Sequence, residues 1–389
     1  MPVTRSTRLG ALPPYLFAEI DRQKRAARAA GRDIIDFGVG DPDQPTHAFI
    51  IERMRQAVGK PENHPYPLGG GSADFRRSIA AFFHRRYGVQ LDPQRELLAL
   101  IGSKEGIGHL PLALVNPGQP VIVPSPGYPV YRAATIFAGG QPYILELTEA
   151  GGWLPDFAAI PPDVARRAVL MFLNYPNNPT GATATLDFYQ RAVAFAKEHD
   201  LLLAQDAAYN ELYLGAQPPP SILQVPGAED VAVEFHSASK TFNMTGWRIG
   251  FVVGNADAIA ALASIKANLD SGVFAAIQEA ACEAYGNIDC RELHQMRELY
   301  RARARILCEG LCQIGFRASP PAATFYVWAH VPAGYDSMTV CSRLLDEVHV
   351  VGVPGVGFGP SGEGYVRFAL NVPAERIQAA VQRMAALKW

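Results

Sequence analysis

The sequence predicts an α/β fold: a mainly parallel sheet covered by helices, followed by a smaller α+β lobe. Three features predict it. Seven short apolar runs alternate with longer segments of helical period. Those runs are unbroken rather than alternating, which is the pattern of strands covered on both faces. Beyond residue 273 the order changes to long helices and then strands, the signature of a separately organised lobe.

In chain order the seven runs are "ELLALIG" (96–102), "PVIVPS" (120–125), "PYILEL" (142–147), "AVLMFLN" (168–174), "LLLAQD" (201–206), "VAVEFHS" (231–237) and "RIGFVVG" (248–254). Between them lie helix candidates such as 186–199, with Thr185 as its N-cap. The segment 274–314 reads as two long helices. It is followed by strand candidates at 324–331 and 364–371 and a last helix near 373–387. Pro/Gly patches at 65–71, 216–220 and 352–364 read as loops.

With 389 residues, 49% of them apolar and 19% charged, the chain has enough material for a large core and two lobes. Net charge is −2, from 35 basic and 37 acidic residues, so it carries no electrostatic footprint for nucleic acid or anionic lipid. Cys282, Cys290, Cys308, Cys312 and Cys341 show no CxxC pair. Cys308 and Cys312 stand one helical turn apart, a spacing that fits small apolar side chains on a helix better than a metal pair. The N-terminus lacks a signal-peptide run and is interrupted by Pro13 and Pro14, and no segment approaches a membrane span. A cytoplasmic protein is expected.

The chemistry gathers at strand ends. "EFHSASKTFNMTGWRIGF" (234–251) places Ser237, Ser239, Lys240 and Arg248 between two apolar runs. Burial lowers a lysine's pKa, which suits an amine that forms a Schiff base, and two hydroxyls with an arginine make a phosphate cradle. A surface loop with an ordinary lysine fits that stretch equally well. "LLLAQDAAYNEL" ends a strand with Asp206 and places Tyr209 three residues on; Asp206 reads equally as a helix N-cap. "NYPNNPTG" (174–181) carries Asn177, Asn178 and Pro179, and by composition is a plain turn. "IGSKEGIGHL" (101–110) opens a helix with Ser103, Lys104 and Glu105, whose backbone N–H groups suit phosphate. Pro111 argues against that helix continuing.

Taken in order, N-P-T-G, D-x-x-Y and S-x-S-K with an arginine eight residues beyond the lysine resemble the pyridoxal 5′-phosphate enzymes of fold type I, the aspartate-aminotransferase-like group. The resemblance covers nearly the whole chain. It implies a seven-stranded, mainly parallel sheet in a large cofactor-binding domain (46–273), a small C-terminal domain (274–389), and an N-terminal arm that shares in the small domain (1–45). It implies that Lys240 holds the cofactor covalently and shuttles the substrate proton, with Asp206 pairing the pyridinium nitrogen. Asn178 and Tyr209 would bond the ring oxygen, and Ser103, Lys104, Ser237, Ser239 and Arg248 would surround the phosphate. Tyr128 matches the aromatic that stacks on the ring. Arg367, in "EGYVRFAL", matches the arginine that grips the substrate α-carboxylate, and the backbone of Gly40 would approach the same group. Tyr66 matches a tyrosine that reaches the phosphate of the other subunit, which implies a homodimer with shared sites.

Within this family the chain is most similar to the bacterial LL-diaminopimelate aminotransferases, through "LPPYLFAEID", "GSKEGIGHL", "NLDSGVFAAIQEA" and "PGVGFGPSGEGYVRFAL". That subgroup presents a tyrosine to substrate where Tyr15 stands. The implied reaction is amino transfer from LL-2,6-diaminopimelate to 2-oxoglutarate in lysine biosynthesis. Val356 departs from the asparagine of many relatives. The segment 266–272 lacks the arginine that reads aspartate's second carboxylate, a role open to Lys104. Transamination of alanine, aspartate, methionine or aromatic amino acids, and β-elimination on the same cofactor, are the alternatives. The resemblance starts near Leu12, which disfavours a regulator with an N-terminal DNA-binding domain.

Overall fold

The computed structural model describes residues 3–12 and 16–389, of which residues 16–18 by backbone alone; the expectation for Tyr15 lies outside the described residues. The strands are β1 (Ile35–Asp36), β2 (Leu97–Leu100), β3 (Pro120–Ser125), β4 (Gln141–Glu146), β5 (Leu170–Asn174), β6 (Leu202–Asp206), β7 (Ala232–Ser237), β8 (Gly250–Gly254), β9 (Tyr326–His330), β10 (Val350–Val351), β11 (Val353–Pro354) and β12 (Tyr365–Ala369). Seven of them form one sheet in the order β2-β8-β7-β6-β5-β3-β4. Only β8 runs antiparallel to its neighbours. All seven apolar runs are strands of this sheet, and the buried faces of β2, β3, β5, β7 and β8 explain why the runs do not alternate.

Chain order reverses between β3 and β5. β4 lies outside β3, while β6 and β7 continue from β5 in the other direction. In a parallel sheet such a switch point opens a crevice beyond the C-terminal strand ends. Asn174, Asp206 and Ser237 occupy the ends of β5, β6 and β7, and register pairs Asn174 with Asp206.

The helices bear out the periodicity. Thr185 caps Leu186–Glu198 by accepting from the Phe188 N–H at 3.2 Å. Its buried side chains Phe188, Tyr189, Ala192, Val193 and Ala196 form one stripe. Burying each large one stabilises the fold by roughly 1.5–3 kcal/mol. The segment 274–314 forms Ala275–Gly286 and Arg291–Gln313. On the second of these Cys308 is buried and Cys312 exposed, so the two thiols face different environments. β11, β12 and β9 make a separate antiparallel sheet, and β1 pairs in parallel with β10.

Two details differ from expectation. The helix Ser103–Leu114 continues through Pro111, whose carbonyl still accepts from Val115 N–H at 2.9 Å. The patch 352–364 is partly ordered as β11 and two short 3-10 turns, Gly355–Phe358 and Pro360–Gly362. Its glycines permit contacts that side chains would block: a Cβ on Gly355 would collide with the Gly362 carbonyl. No helix among the described residues is long and apolar enough to cross a membrane.

Candidate active site

A cavity of about 1310 Å³ opens at the switch point. It is lined by Gly40, Ser103, Lys104, Tyr128, Asn178, Asp206, Tyr209, Ser237, Ser239, Lys240, Arg248 and Arg367. The structure thus brings together, from across the chain, every described candidate except Tyr66. Tyr66 lies on a separate surface loop and is 80% exposed.

Asp206 is buried at the end of β6. Its Oδ2 accepts from the Tyr131 hydroxyl at 2.8 Å and its Oδ1 from Ala208 N–H at 3.2 Å. Burial pushes the carboxyl up to about 6 against these two hydrogen bonds. Lys240 follows β7 in a single helical turn, Ala238–Thr241. Its Nζ opens onto the cavity and donates to the Gly40 carbonyl at 2.6 Å. Desolvation lowers its pKa to about 8; Asp41 opposes the shift, while Arg367 and Arg248 reinforce it.

At one end of the cavity, hydroxyls and cations converge on the start of a helix. Ser103 begins the helix Ser103–Leu114, and Gly102 caps it with φ 75°. A Cβ there would collide with the Arg248 guanidinium, so glycine admits the arginine against the helix N-terminus. Arg248 itself has φ 56°, and donates from Nη1 to the Thr245 carbonyl at 2.7 Å. Ser237 and Ser239 are buried alongside. Behind them Glu105 accepts from Ile101 N–H at 3.0 Å and pairs with Lys266 at 2.8 Å, which ties this helix start to the helix Ala256–Leu269.

At the other end lies Arg367, on β12 and only 3% exposed. Nη1 donates to Asn178 Oδ1 and Nη2 to the Gly38 carbonyl, each at 3.0 Å. Its guanidinium lies over the Tyr326 ring at 4.2 Å and the Phe358 ring at 4.8 Å. The antiparallel sheet therefore supplies the cation that faces the strand ends of the parallel one.

Three residues of this constellation escaped the sequence reading. Asn174 donates to the Asp206 carbonyl at 2.8 Å and accepts from Asn178 N–H at 2.9 Å, so it shapes the loop that carries Asn178. Its signal was an amide closing an otherwise apolar run. Tyr131 holds Asp206 and stacks on Phe172 with centroids 4.9 Å apart; it stands three residues after Tyr128, on the helix Val130–Phe137. Tyr326 places its hydroxyl 3.0 Å from that of Tyr209. Its sequence context, "TFYVW", is that of any buried strand.

Residues 32–384 match the family aminotransferase class I and II. The chain belongs to the class I and II aminotransferases. It is 52% identical to the LL-diaminopimelate aminotransferase of Syntrophobacter fumaroxidans, over the whole of both chains. It is equally identical to that of Aquifex aeolicus, over 98% of this chain and 99% of the relative. Among solved structures it resembles that of apo-BacF from Bacillus subtilis with a TM-score of 0.95 and 37% identity, covering 100% and 99% of the two chains. The protein is thus a transaminase of fold type I, a family that generally depends on pyridoxal 5′-phosphate and works on amino acids and 2-oxo acids.

Proposed function

We propose that this aminotransferase moves the α-amino group of LL-2,6-diaminopimelate to 2-oxoglutarate, using pyridoxal 5′-phosphate held in the cavity. One observation carries the reading of the site. An amine brought down to about 8 and a buried carboxyl pushed up to about 6 share one cavity with a buried arginine. The donor set fits the cofactor. Ser103, Ser237, Ser239, Arg248 and the first-turn N–H groups suit a dianionic phosphate, with Lys104 at the rim. Among the described residues Asp206 forms no salt bridge, its hydrogen bonds being with Tyr131 and Ala208, and a pyridinium nitrogen would supply a cationic partner. Tyr209 and the Asn178 amide nitrogen suit the ring oxygen, and Tyr128 the ring face.

When bound, the cofactor supplies an electron sink for the bonds at the substrate Cα. The chain's residues do the rest. Arg367 grips the α-carboxylate by its fork, and Gly40 lets the backbone approach the same group. Lys240 would take the Cα proton and return it to the carbon on the other side of the amino nitrogen, a task suited to an amine whose pKa lies near the working pH. Asp206 keeps the ring nitrogen protonated. Substrate choice rests on the family likeness over the full chain length, with LL-diaminopimelate as donor.

The active unit is proposed to be a homodimer. Tyr66 and Leu68 are 80% and 83% exposed on their loop, which leaves them free to meet a second copy, and the family resemblance gives Tyr66 the role of reaching that copy's phosphate site.

The test is a half-reaction screen. Purified enzyme loaded with cofactor is mixed with single amino acids, and loss of the visible cofactor band is followed. LL-diaminopimelate and glutamate should discharge the band fastest. Faster discharge by aspartate or an aromatic amino acid would reassign the substrate. Release of pyruvate and ammonia would replace transamination by β-elimination.

A further inference from the structure

Tyr326 meets three of the groups that the proposed chemistry uses: Tyr209, Arg367 and Gly40. It opens β9, is 2% exposed, and has its backbone fixed by a hydrogen bond from its N–H to Thr324 Oγ1 at 3.1 Å. Its hydroxyl lies 3.0 Å from that of Tyr209. Its ring face carries the Arg367 guanidinium at 4.2 Å. The hydroxyl also presses on Gly40, where a Cβ would collide with it, and the Gly40 carbonyl receives Lys240 Nζ. A phenylalanine would fill this volume without the cost of burying a hydroxyl, so packing alone does not account for a tyrosine.

We propose that Tyr326 is a positioning residue that couples the two halves of the site: its hydroxyl orients Tyr209, and its ring forms the platform under Arg367. The inference rests on the reading in which Tyr209 donates to the cofactor's ring oxygen. With the Tyr209 O–H donating its hydrogen bond to that oxygen, only the lone pairs of Tyr209 remain for a second partner, so Tyr326 must donate to it. The outer hydroxyl then polarises the inner one and strengthens its bond to the ionised ring oxygen. The Arg367 guanidinium lies over both the Tyr326 and Phe358 rings, contacts that would steady its fork for a planar carboxylate. The two contributions come from different atoms of one side chain and are therefore separable.

The experiment compares cofactor-loaded wild type with Tyr326→Phe, Tyr326→Leu, Tyr209→Phe and the Tyr209→Phe/Tyr326→Phe double variant. Two quantities are read: the pH midpoint of the cofactor's visible band, and the rate and KM of the half-reaction with glutamate. The charged groups that bear on Lys240, namely Asp41, Arg367 and Arg248, are the same in all of them. Tyr326→Phe keeps the platform and loses the donor. The ring oxygen becomes more basic, so the midpoint should rise by roughly half a unit and the rate fall about 3- to 10-fold, with KM within about 2-fold of wild type. Tyr326→Leu should in addition raise KM about 3- to 30-fold, through loss of the ring under Arg367. In the Tyr209→Phe background, Tyr326→Phe should move the midpoint no further.

A wild-type midpoint and rate in Tyr326→Phe, or shifts that simply add in the double variant, overturns the coupling. A wild-type chain that develops no visible band with the cofactor overturns instead the reading of the site on which the coupling rests.

Discussion

At the floor of the cavity Asn174, Asp206 and Ser237 stand at the ends of adjacent parallel strands. At its mouth Ile20, Arg132 and Val356 come from the helices Leu16–Ala29 and Val130–Phe137 and from the 3-10 turn Gly355–Phe358. The floor is placed by sheet register, so a residue's position in its strand fixes its position in space. The mouth is placed by how distant segments pack. In the proposed reading, chemistry common to the family sits where geometry is rigid, and substrate discrimination falls to the part where the scaffold can vary.

The strongest way to break this comparison is at Lys240. Lys240→Ala removes the buried amine that is proposed to hold the cofactor and move the Cα proton. Turnover should fall by about 10⁴-fold or more, and the protein's visible cofactor band should vanish. A variant with wild-type turnover would dissolve the floor as the seat of chemistry.

Asp206 tests what the floor costs. Its carboxyl titrates near 6 in the folded chain and near 3.9 when unfolded, so the folded state binds the proton more tightly. Stability is therefore present below about pH 4 and lost as pH rises through about 6, by up to ~3 kcal/mol in the cofactor-free protein. Asp206→Asn should remove that loss. Cofactor-free variant should unfold at higher urea than wild type near pH 8, with the gap narrowing toward pH 4, while activity falls by about 10²-fold or more. Equal urea midpoints near pH 8 would show that the buried carboxylate is not a source of strain.

Arg367 is a strand residue that lines the same cavity, and in the proposed reading it receives the variable molecule. Arg367→Lys keeps the charge but loses the planar fork and the broad contact with the Tyr326 and Phe358 rings. KM for every amino acid should rise about 10- to 100-fold, with little discrimination among them. A selective effect on one substrate would move Arg367 from the shared machinery to the mouth.

The same contrast explains what was legible in the sequence. The seven strands were readable because each is an unbroken apolar run, and Asp206 and Ser237 because each follows one directly. Arg367 stood out as a charge inside an apolar strand. β1 and β10 are two-residue strands that exist only because they meet across more than 300 positions, and no local pattern marks such a pair. Tyr131 and Tyr326 stayed hidden for a related reason: a buried tyrosine's apolar ring gives it the same local signature as core, and only the partner of its hydroxyl distinguishes the two. The helix through Pro111 shows the converse. Leu110 and Pro111 are both buried there, and packing holds a helix that local propensity would end.

The smallest expected effect is at Val356, and it asks whether the mouth selects at all. Val356 is half-buried, lines the cavity and lies two residues before Phe358, which packs on Arg367. An amide there gains a donor and an acceptor facing the distal part of a bound substrate, without touching the floor. Val356→Asn should therefore leave the pH dependence and the cofactor band unchanged. It should alter the ratio of kcat/KM between LL-diaminopimelate and glutamate by about 2- to 10-fold, the size of one hydrogen bond gained or lost. The two substrates differ only beyond the atoms that Arg367 and Lys240 handle, so a ratio that stays fixed while both rates drop would place Val356 in the support of Phe358 and Arg367. In that case specificity would have to come from the helices carrying Ile20 and Arg132.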